Sequence, residues 1–326
     1  MSRPVVFITG STGFIGTHVV IATLKAGYGV RLSIRKAEQE AGLRERHAEF
    51  NDRIETVVVS DMSKRESFKA VLQGVDFIFH LASPMPGSGS DVKKDYIEPA
   101  VNATESILYA ALDFPQIQKV VIVSSILALT PVTALGSKVV KVKDNTGEVI
   151  PVDLNAPFPD GVRGHGMKYA ASKIFAHQAT REFMKSHRPH YALITLHPVF
   201  VLGENLLQTT PEEIHGMNAL LWASINSEQP QIANAWVHVR DVADAHVKAL
   251  ETKIASGTEF LLCRPPVSWE GVARFVKTEY PAVGCKLEGP FEGGWEIDTS
   301  SADRILGLKW RSEEEILRDV IRQQGF

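Results

Sequence analysis

The chain has 326 residues, a length that suggests about two domains, or one large α/β unit with an attached lobe. Apolar residues make up 44% and charged residues 22%, which excludes collagenous, disordered and coiled-coil proteins. The net charge of −3 predicts neither a nucleic-acid partner nor an anionic membrane surface as partner.

The cysteine content and the apolar runs indicate a cytoplasmic protein. Cys263 and Cys285 are too few to staple a chain of this size, so a reducing compartment fits best. Residues 5–24 superficially resemble a signal peptide, but three glycines and four threonines dilute the apolar run. No stretch approaches the ~18 apolar residues of a membrane span. We expect no membrane association and a monomer or homodimer.

The first half of the chain alternates apolar strands with helical patterns. The strands are rich in β-branched residues and apolar on both faces, as in a buried parallel sheet. They are predicted at residues 5–9, 30–34, 54–59, 77–80, 120–124 and 192–197. Helices are predicted at residues 13–26, from a capping box at Ser63–Glu66 onward, and at 92–112. This order predicts an α/β fold, a doubly wound parallel-sheet Rossmann domain.

Beyond Gly203 the pattern loosens into helices near residues 211–227 and 313–323, separated by loops rich in glycine and proline. Residues 236–250 indicate a return to the sheet domain. We therefore predict a Rossmann domain of residues 1–202 with 232–262. A smaller, mostly C-terminal α/β substrate lobe takes residues 203–231 with 263–326.

A glycine-rich turn joins the first strand to the first helix, with the spacing G-x-x-G-x-x-G. The turn requires unusual φ, a pyrophosphate requires close backbone approach, and the last glycine lets helix and strand pack. The helix start adds N–H groups and a positive dipole end. We predict a dinucleotide site at Gly10, Thr12, Gly13, Phe14, Ile15 and Gly16.

The end of the second strand favours NADP(H) over NAD(H). NAD binders place an acidic residue there, whereas this chain has Arg35 and Lys36 and no carboxylate before Glu38. Arg35 can pair with a 2′-phosphate and stack on adenine. The alternative is a pair of solvated surface charges. Asp61 and Met62 end the third strand, where Asp61 either accepts from the adenine amine or caps the next helix.

Two further motifs suggest carbonyl chemistry. Tyr169 and Lys173 form Y-x-x-x-K in a helical pattern, so both side chains share one helix face. An ammonium beside a phenol favours the phenolate, which makes the tyrosine a usable proton donor to a carbonyl. Ser125 follows a predicted central strand, at the sheet edge where ligands bind, and is suited to hydrogen-bond a substrate oxygen.

Together these motifs resemble the extended branch of the short-chain dehydrogenase/reductase superfamily, and more closely the dihydroflavonol-4-reductase-like carbonyl reductases. The resemblance covers roughly residues 4–250. Further stretches carry it: His80-Leu81-Ala82-Ser83-Pro84, Val101-Asn102-Ala103-Thr104, His197-Pro198-Val199 and residues 236–246.

The resemblance implies a role for each matching residue. Tyr169 would be the general acid, and Lys173 would favour its phenolate and bind the nicotinamide ribose. Ser125 would orient the carbonyl, and Asn102 would organise a proton relay. Leu81, Ala82, Ser83, Pro198 and Val199 would lie beside the cofactor.

The separation of Ser125 and Tyr169, 169 − 125 = 44 residues, is longer than the family pattern. Alternation around a turn of Asp144 to Gly147 predicts a hairpin over residues 138–152. This hairpin either walls the substrate pocket, contacts a partner, or is a surface decoration.

The histidines show no metal-binding spacing, so we expect no metal. His197, His238 and His246 lie in apolar patterns and are interpreted as structural. His165 lies close to Tyr169 in sequence, but a loop histidine without a role is favoured.

Apolar side chains are the candidates for a substrate pocket, which suits a hydrophobic ketone or aldehyde, although the same residues fit a core. They are Pro84, Met85, Leu127, Leu129, Phe158, Phe200 and Trp222. The sequence therefore favours NADPH-dependent carbonyl reduction. The alternatives are a nucleotide-sugar epimerase or dehydratase on the same fold, and a non-catalytic NADP-sensing protein.

Overall fold

The computed structural model describes residues 3–83, 89–137 and 139–326. Its strands are β1 (Val5–Thr9), β2 (Gly29–Ile34), β3 (Ile54–Val58), β4 (Phe77–His80), β5 (Lys119–Val123), β6 (Val139–Lys143), β7 (Ala192–Pro198), β8 (Phe200–Leu202), β9 (Trp236–His238), β10 (Glu259–Leu262) and β11 (Gly294–Asp298). Within the described residues, seven of them form one parallel sheet in the order β10-β7-β5-β4-β1-β2-β3.

Helices cover both faces of this sheet, because its strands are apolar on both sides. The helices of the described residues are, in chain order, α1 (Phe14–Lys25), α2 (Gln39–Arg46), α3 (Glu66–Lys69), α4 (Glu98–Ala111), α5 (Gly161–His187), α6 (Gly216–Ile225), α7 (Val239–Glu251), α8 (Trp269–Glu279), α9 (Ser300–Leu306) and α10 (Glu313–Arg322). Along β1, Val6 and Ile8 point to the main core, which lies under α1 and α7, whereas Phe7 points to a second core under α3, α4 and α5. The predicted doubly wound fold is confirmed.

A third core lies in the carboxyl-terminal part of the chain, where α6, α8 and α10 enclose Trp236 and Trp269. Two parallel strand pairs, β8 with β9 and β6 with β11, lie outside the main sheet. The exact domain limits stay a prediction. Strand β10 was missed by the sequence analysis, because four buried residues between loops carry too short a pattern.

The predicted hairpin over residues 138–152 is wrong. β6 pairs in parallel with β11, far along the chain, and residues 144–152 form no strand. Lys141 and Lys143 meet Glu296 and Asp298 across this pair, at 2.8 and 3.6 Å. Lys138 lies outside the described residues. The alternating pattern therefore predicted the strand correctly, but the predicted antiparallel partner within residues 138–152 was wrong.

The segment after β6 covers the outer edge of β10. The Leu261 N–H donates to Asp144 Oδ2 at 3.0 Å, and the Glu259 N–H donates to Asn145 Oδ1 at 2.9 Å. Asn145 Nδ2 donates back to the Glu259 carbonyl at 2.8 Å. Because an uncovered edge strand exposes unpaired backbone groups, these side chains finish the sheet.

The capping box predicted at Ser63 is also wrong. α3 begins at Glu66, and the residue before it, Arg65, provides no side-chain cap. Ser63 Oγ instead donates to Asp61 Oδ1 at 2.6 Å. Among the described helices, none combines the length and the hydropathy that crossing a bilayer requires.

Candidate active site

The glycine-rich turn between β1 and α1 runs too close to its neighbours to carry side chains. Gly10 has φ of +73°, and a Cβ there would lie 2.8 Å from the Ala82 nitrogen. A Cβ on Gly16 would lie 2.0 Å from the Gly10 carbonyl oxygen. Gly13 precedes α1 and offers no side-chain cap. The first N–H groups of α1 are therefore left for an anion.

The carboxyl ends of β1 and β4 meet beside this turn. Thr9 Oγ1 lies 2.9 Å from His80 Nδ1 and accepts from the Ala82 N–H at 3.1 Å. The chain leaves β1 toward β2 on one side and returns to β4 on the other. This reversal of strand order is where open α/β sheets bind ligands.

The loop after β2 presents two basic side chains to solvent. The backbone N–H groups of Arg35 and Lys36 donate to Gln39 Oε1, at 2.8 and 3.1 Å. Both side chains are exposed, and among the described residues neither forms an ion pair. The loop is thus shaped by Gln39 while both cations stay available for a phosphate.

Asp61 is held in a local turn. Its Oδ1 accepts from the Ser63 hydroxyl and N–H, and Lys64 Nζ lies 3.1 Å from Oδ2. The Ser63 hydrogen bonds hold the pKa of Asp61 below its usual value. This geometry supports the local role, and the adenine contact stays a prediction. Met62 is half-buried against the core under α3 and α4.

Tyr169 and Lys173 meet on one face of α5. Lys173 Nζ lies 5.3 Å from the centroid of the Tyr169 ring and donates to Ser83 Oγ at 3.0 Å. Lys173 is buried and Tyr169 is half-buried. Because Ser83 follows β4, this bond fixes the face of α5 that carries Lys173 against the strand ends.

Ser125 is held at the end of β5. Its Oγ accepts from the Leu127 N–H at 3.2 Å, and its carbonyl oxygen lies 3.0 Å from His197 Nδ1. The short helical turn Ile126–Leu129 that it caps packs against α5. Because the hydroxyl accepts in this cap, its proton remains to be donated.

Asn102 lies on the other side of α4 from the catalytic candidates. It is exposed, whereas Ala100 and Thr104 of the same helix line a small cavity beside Lys173. The relay role that the resemblance implies for Asn102 gains no support from this placement.

The other expected cofactor residues lie at the strand ends, in the glycine-rich turn and at the start of α1. Pro198 and Val199 are buried at the end of β7, and the Val199 N–H donates to the Leu262 carbonyl at 3.2 Å. The remaining ones are half-buried: Thr12, Phe14, Ile15, Leu81 and Ala82.

The pocket candidates divide between core and half-buried positions. Leu127 is buried in the main core, which favours its core role. Phe158 is half-buried, and Phe200 is half-buried with its ring 5.7 Å from that of Trp295. Half-buried Leu129 packs on the main core, and half-buried Trp222 packs on the third core. Pro84 and Met85 lie outside the described residues.

His165, His238 and His246 each contact another side chain in the structure. His165 Nδ1 lies 3.1 Å from the Tyr96 hydroxyl. His238 Nε2 lies 2.8 Å from Asp319, and His246 packs edge-on against Phe79.

A buried ionic network behind Lys173 was missed by the sequence analysis. Glu259 accepts from Arg181 at 2.6 and 2.9 Å, and His177 Nε2 lies 3.0 Å from its Oε1. Burial opposes the charge of Glu259, but the bonds from His177 and Arg181 hold its pKa well below the usual range. The available signal was the four-residue spacing of Tyr169, Lys173, His177 and Arg181 on one face of α5.

Within the described residues, His177, His197 and Glu259 bring potential metal ligands within 4.8 Å of one another. Both Glu259 oxygens already bind the Arg181 guanidinium, a fixed cation. Because the carboxylate is engaged in this ion pair, these three side chains do not fit a divalent metal. The absence of a metal remains an expectation. Burial lowers the pKa of His197 to about 3, so its ring is neutral.

Comparison with known proteins assigns the family. The model of the NAD dependent epimerase/dehydratase family matches residues 6–263. The chain belongs to this family. The ketoreductase sphI of Aspergillus fumigatus is 40% identical to this chain over an alignment of 332 positions, which covers 99% of this chain and 98% of the ketoreductase.

Solved structures of reductases share the fold of this chain. The yeast methylglyoxal/isovaleraldehyde reductase Gre2 in complex with NADPH superposes with a TM-score of 0.84, at 25% identity and 98% coverage of each chain. Vestitone reductase from alfalfa superposes at 0.74 with 24% identity and 98% coverage of each chain, a likeness of fold alone. The predicted membership in the extended short-chain dehydrogenase/reductases is confirmed, on its reductase branch.

Proposed function

We propose that this protein is an NADPH-dependent carbonyl reductase that converts a small hydrophobic ketone or aldehyde to its alcohol. The observation that carries the proposal is the Tyr169–Lys173 pair, which Ser83 anchors at the crevice beside the glycine turn. The ketoreductase relative and the NADPH complex of the yeast reductase support it.

The residues present fit a dinucleotide phosphate. The turn at Gly10 and Gly16 leaves no room for side chains, so a pyrophosphate can approach the backbone and the start of α1. Arg35 and Lys36 are exposed cations where a 2′-phosphate would bind. When bound, NADPH would supply a hydride to the carbonyl carbon.

The chain's own residues would handle the proton. Ser125 would donate its free hydroxyl proton to the substrate oxygen as a hydrogen bond and so orient the carbonyl. Tyr169 would transfer its phenolic proton to that oxygen, and the Lys173 ammonium would favour the phenolate left behind. Lys173 would also bind the nicotinamide ribose.

A nicotinamide-absorbance assay tests the proposal. Purified protein is offered NADPH or NADH with a panel of aliphatic ketones, aromatic ketones, aldehydes and α-dicarbonyls. NADPH oxidation with at least one carbonyl, at a higher kcat/KM than with NADH, is expected. Absence of turnover together with tightly bound NAD would contradict it and favour the epimerase alternative.

A further inference from the structure

A small cavity lies behind Lys173. It has a volume of about 20 Å³, and its polar lining includes His80, Ser83, Lys173 and His177. About 10–15 Å³ is enough for one water molecule if two or more polar groups face it. His80 Nε2 and His177 Nδ1 are buried, and neither has a hydrogen-bond partner among the described residues.

Each histidine ring has a hydrogen-bond partner outside the cavity. That partner determines whether the ring nitrogen that faces the cavity is a donor or an acceptor. Ionised Glu259 accepts from His177 Nε2, so we assign the ring proton to that nitrogen and the acceptor role to Nδ1. Thr9 Oγ1 accepts from Ala82 and donates its proton to His80 Nδ1, so His80 Nε2 is a donor. Burial, with Lys173 nearby, lowers the pKa of His80 to about 4, which keeps that ring neutral.

We propose that this cavity binds one ordered water, which accepts from His80 and Lys173 and donates to His177. His177 is thereby a positioning residue that holds the Lys173 ammonium beside Tyr169. This inference rests on the proposed function for its effect on turnover, but the water site itself stands on the geometry alone.

Among the described residues, the titratable groups that line the cavity come from two elements. The cavity faces Lys173 and His177 from α5 and His80 from β4, while α4 contributes uncharged Ala100 and Thr104. Behind His177 lie Glu259 and its ion-pair partner Arg181, with His197 edge-on at 4.6 Å between ring centroids.

Two substitutions of His177 test the contributions of its two ring nitrogens separately. An asparagine amide reaches about as far as Nδ1, so His177→Asn keeps the acceptor toward the cavity and loses the bond to Glu259. A glutamine amide reaches about as far as Nε2, so His177→Gln keeps the bond to Glu259 and loses the acceptor.

We expect His177→Gln to lower kcat by about 3- to 10-fold, the range of one hydrogen bond, with the KM for the carbonyl unchanged. In alcohol oxidation, where Tyr169 acts as the base, the pH of half-maximal kcat should rise by about 0.5 to 1. His177→Asn should stay within about twofold of wild type in both readouts but lower Tm more than His177→Gln. The reverse ranking, with His177→Asn impaired in kcat and His177→Gln normal, would assign a structural role and overturn the proposal.

A crystal structure at about 1.5 Å resolution provides the readout that does not depend on activity. We expect one water within hydrogen-bond distance of His80 Nε2, Lys173 Nζ and His177 Nδ1, and its loss in His177→Gln. No density between these atoms in the wild-type protein would overturn the site. A wild-type protein that reduces no carbonyl but shows this water would contradict the proposed function alone.

Discussion

The turn at Gly10–Gly16 and the outer edge of β10 are both built from close backbone contacts, but they differ in how far apart their parts lie in the chain. In the turn, the residues that would clash, Gly10 and Gly16, are six positions apart. At the edge, Asn145 and Glu259 are separated by 114 positions. The turn can be recognised in the sequence from the regular spacing of its glycines, whereas the edge contact produces no recognisable sequence pattern.

The largest effect should come from the local site. Gly16→Val places a branched side chain against the Gly10 carbonyl oxygen, so we expect the free energy of unfolding to fall by about 3 kcal/mol or more. NADPH affinity, measured by calorimetry, should fall as well. Gly42→Ala in α2, where a Cβ meets open space, is the control and should be neutral or stabilising. Equal stability of the two variants would show that the turn has room for a side chain at Gly16.

A smaller effect is expected at the long-range site. Asn145→Ala removes the side-chain bonds to both backbone groups of Glu259 and should lower the free energy of unfolding by about 2 kcal/mol. Asn145 has φ of +55°, so Asn145→Gly tests whether backbone conformation is responsible. A comparable loss in Asn145→Gly, measured by urea denaturation, assigns the effect to the side chain. Exposed Asn155→Ala is the control, and an Asn145→Ala variant as stable as this control would mean that the edge needs no cover.

The smallest of these effects concerns cofactor choice. Arg35→Glu should raise the KM for NADPH by about 10-fold and improve the use of NADH, because one charge-assisted bond to a 2′-phosphate is lost. Arg46→Glu on α2 makes the same charge change elsewhere on the surface and should leave the preference unaltered. An unchanged preference in Arg35→Glu would separate this residue from the cofactor.

The same contrast explains which features the sequence predicts. The alternation of apolar strands and helices gives the doubly wound sheet, and the spacing of Tyr169 and Lys173 puts both on one helix face. The partner of β6 is not predictable this way, because alternation reports a strand but not its neighbour. Glu259 was missed because its charge contradicts the buried pattern around it until Arg181 and His177 are folded against it.

Asn102 shows a further limit. A family resemblance predicts which residue type stands at a position. Whether that residue faces the site depends on how α4 packs against α5. The sequence does not predict that His80 and His177 line one cavity beside Lys173, because they meet only when the strand ends pack against α5.

The central claim is that Tyr169 supplies the proton for carbonyl reduction, and Tyr169→Phe tests it most directly. Steady-state turnover of the best carbonyl is measured with NADPH, alongside NADPH affinity by calorimetry and the control Tyr109→Phe, whose ring packs against Phe183 on α5. We predict a fall in kcat of at least ~100-fold in Tyr169→Phe, with NADPH affinity near wild type and full activity in the control. Turnover near wild type in Tyr169→Phe would contradict the account.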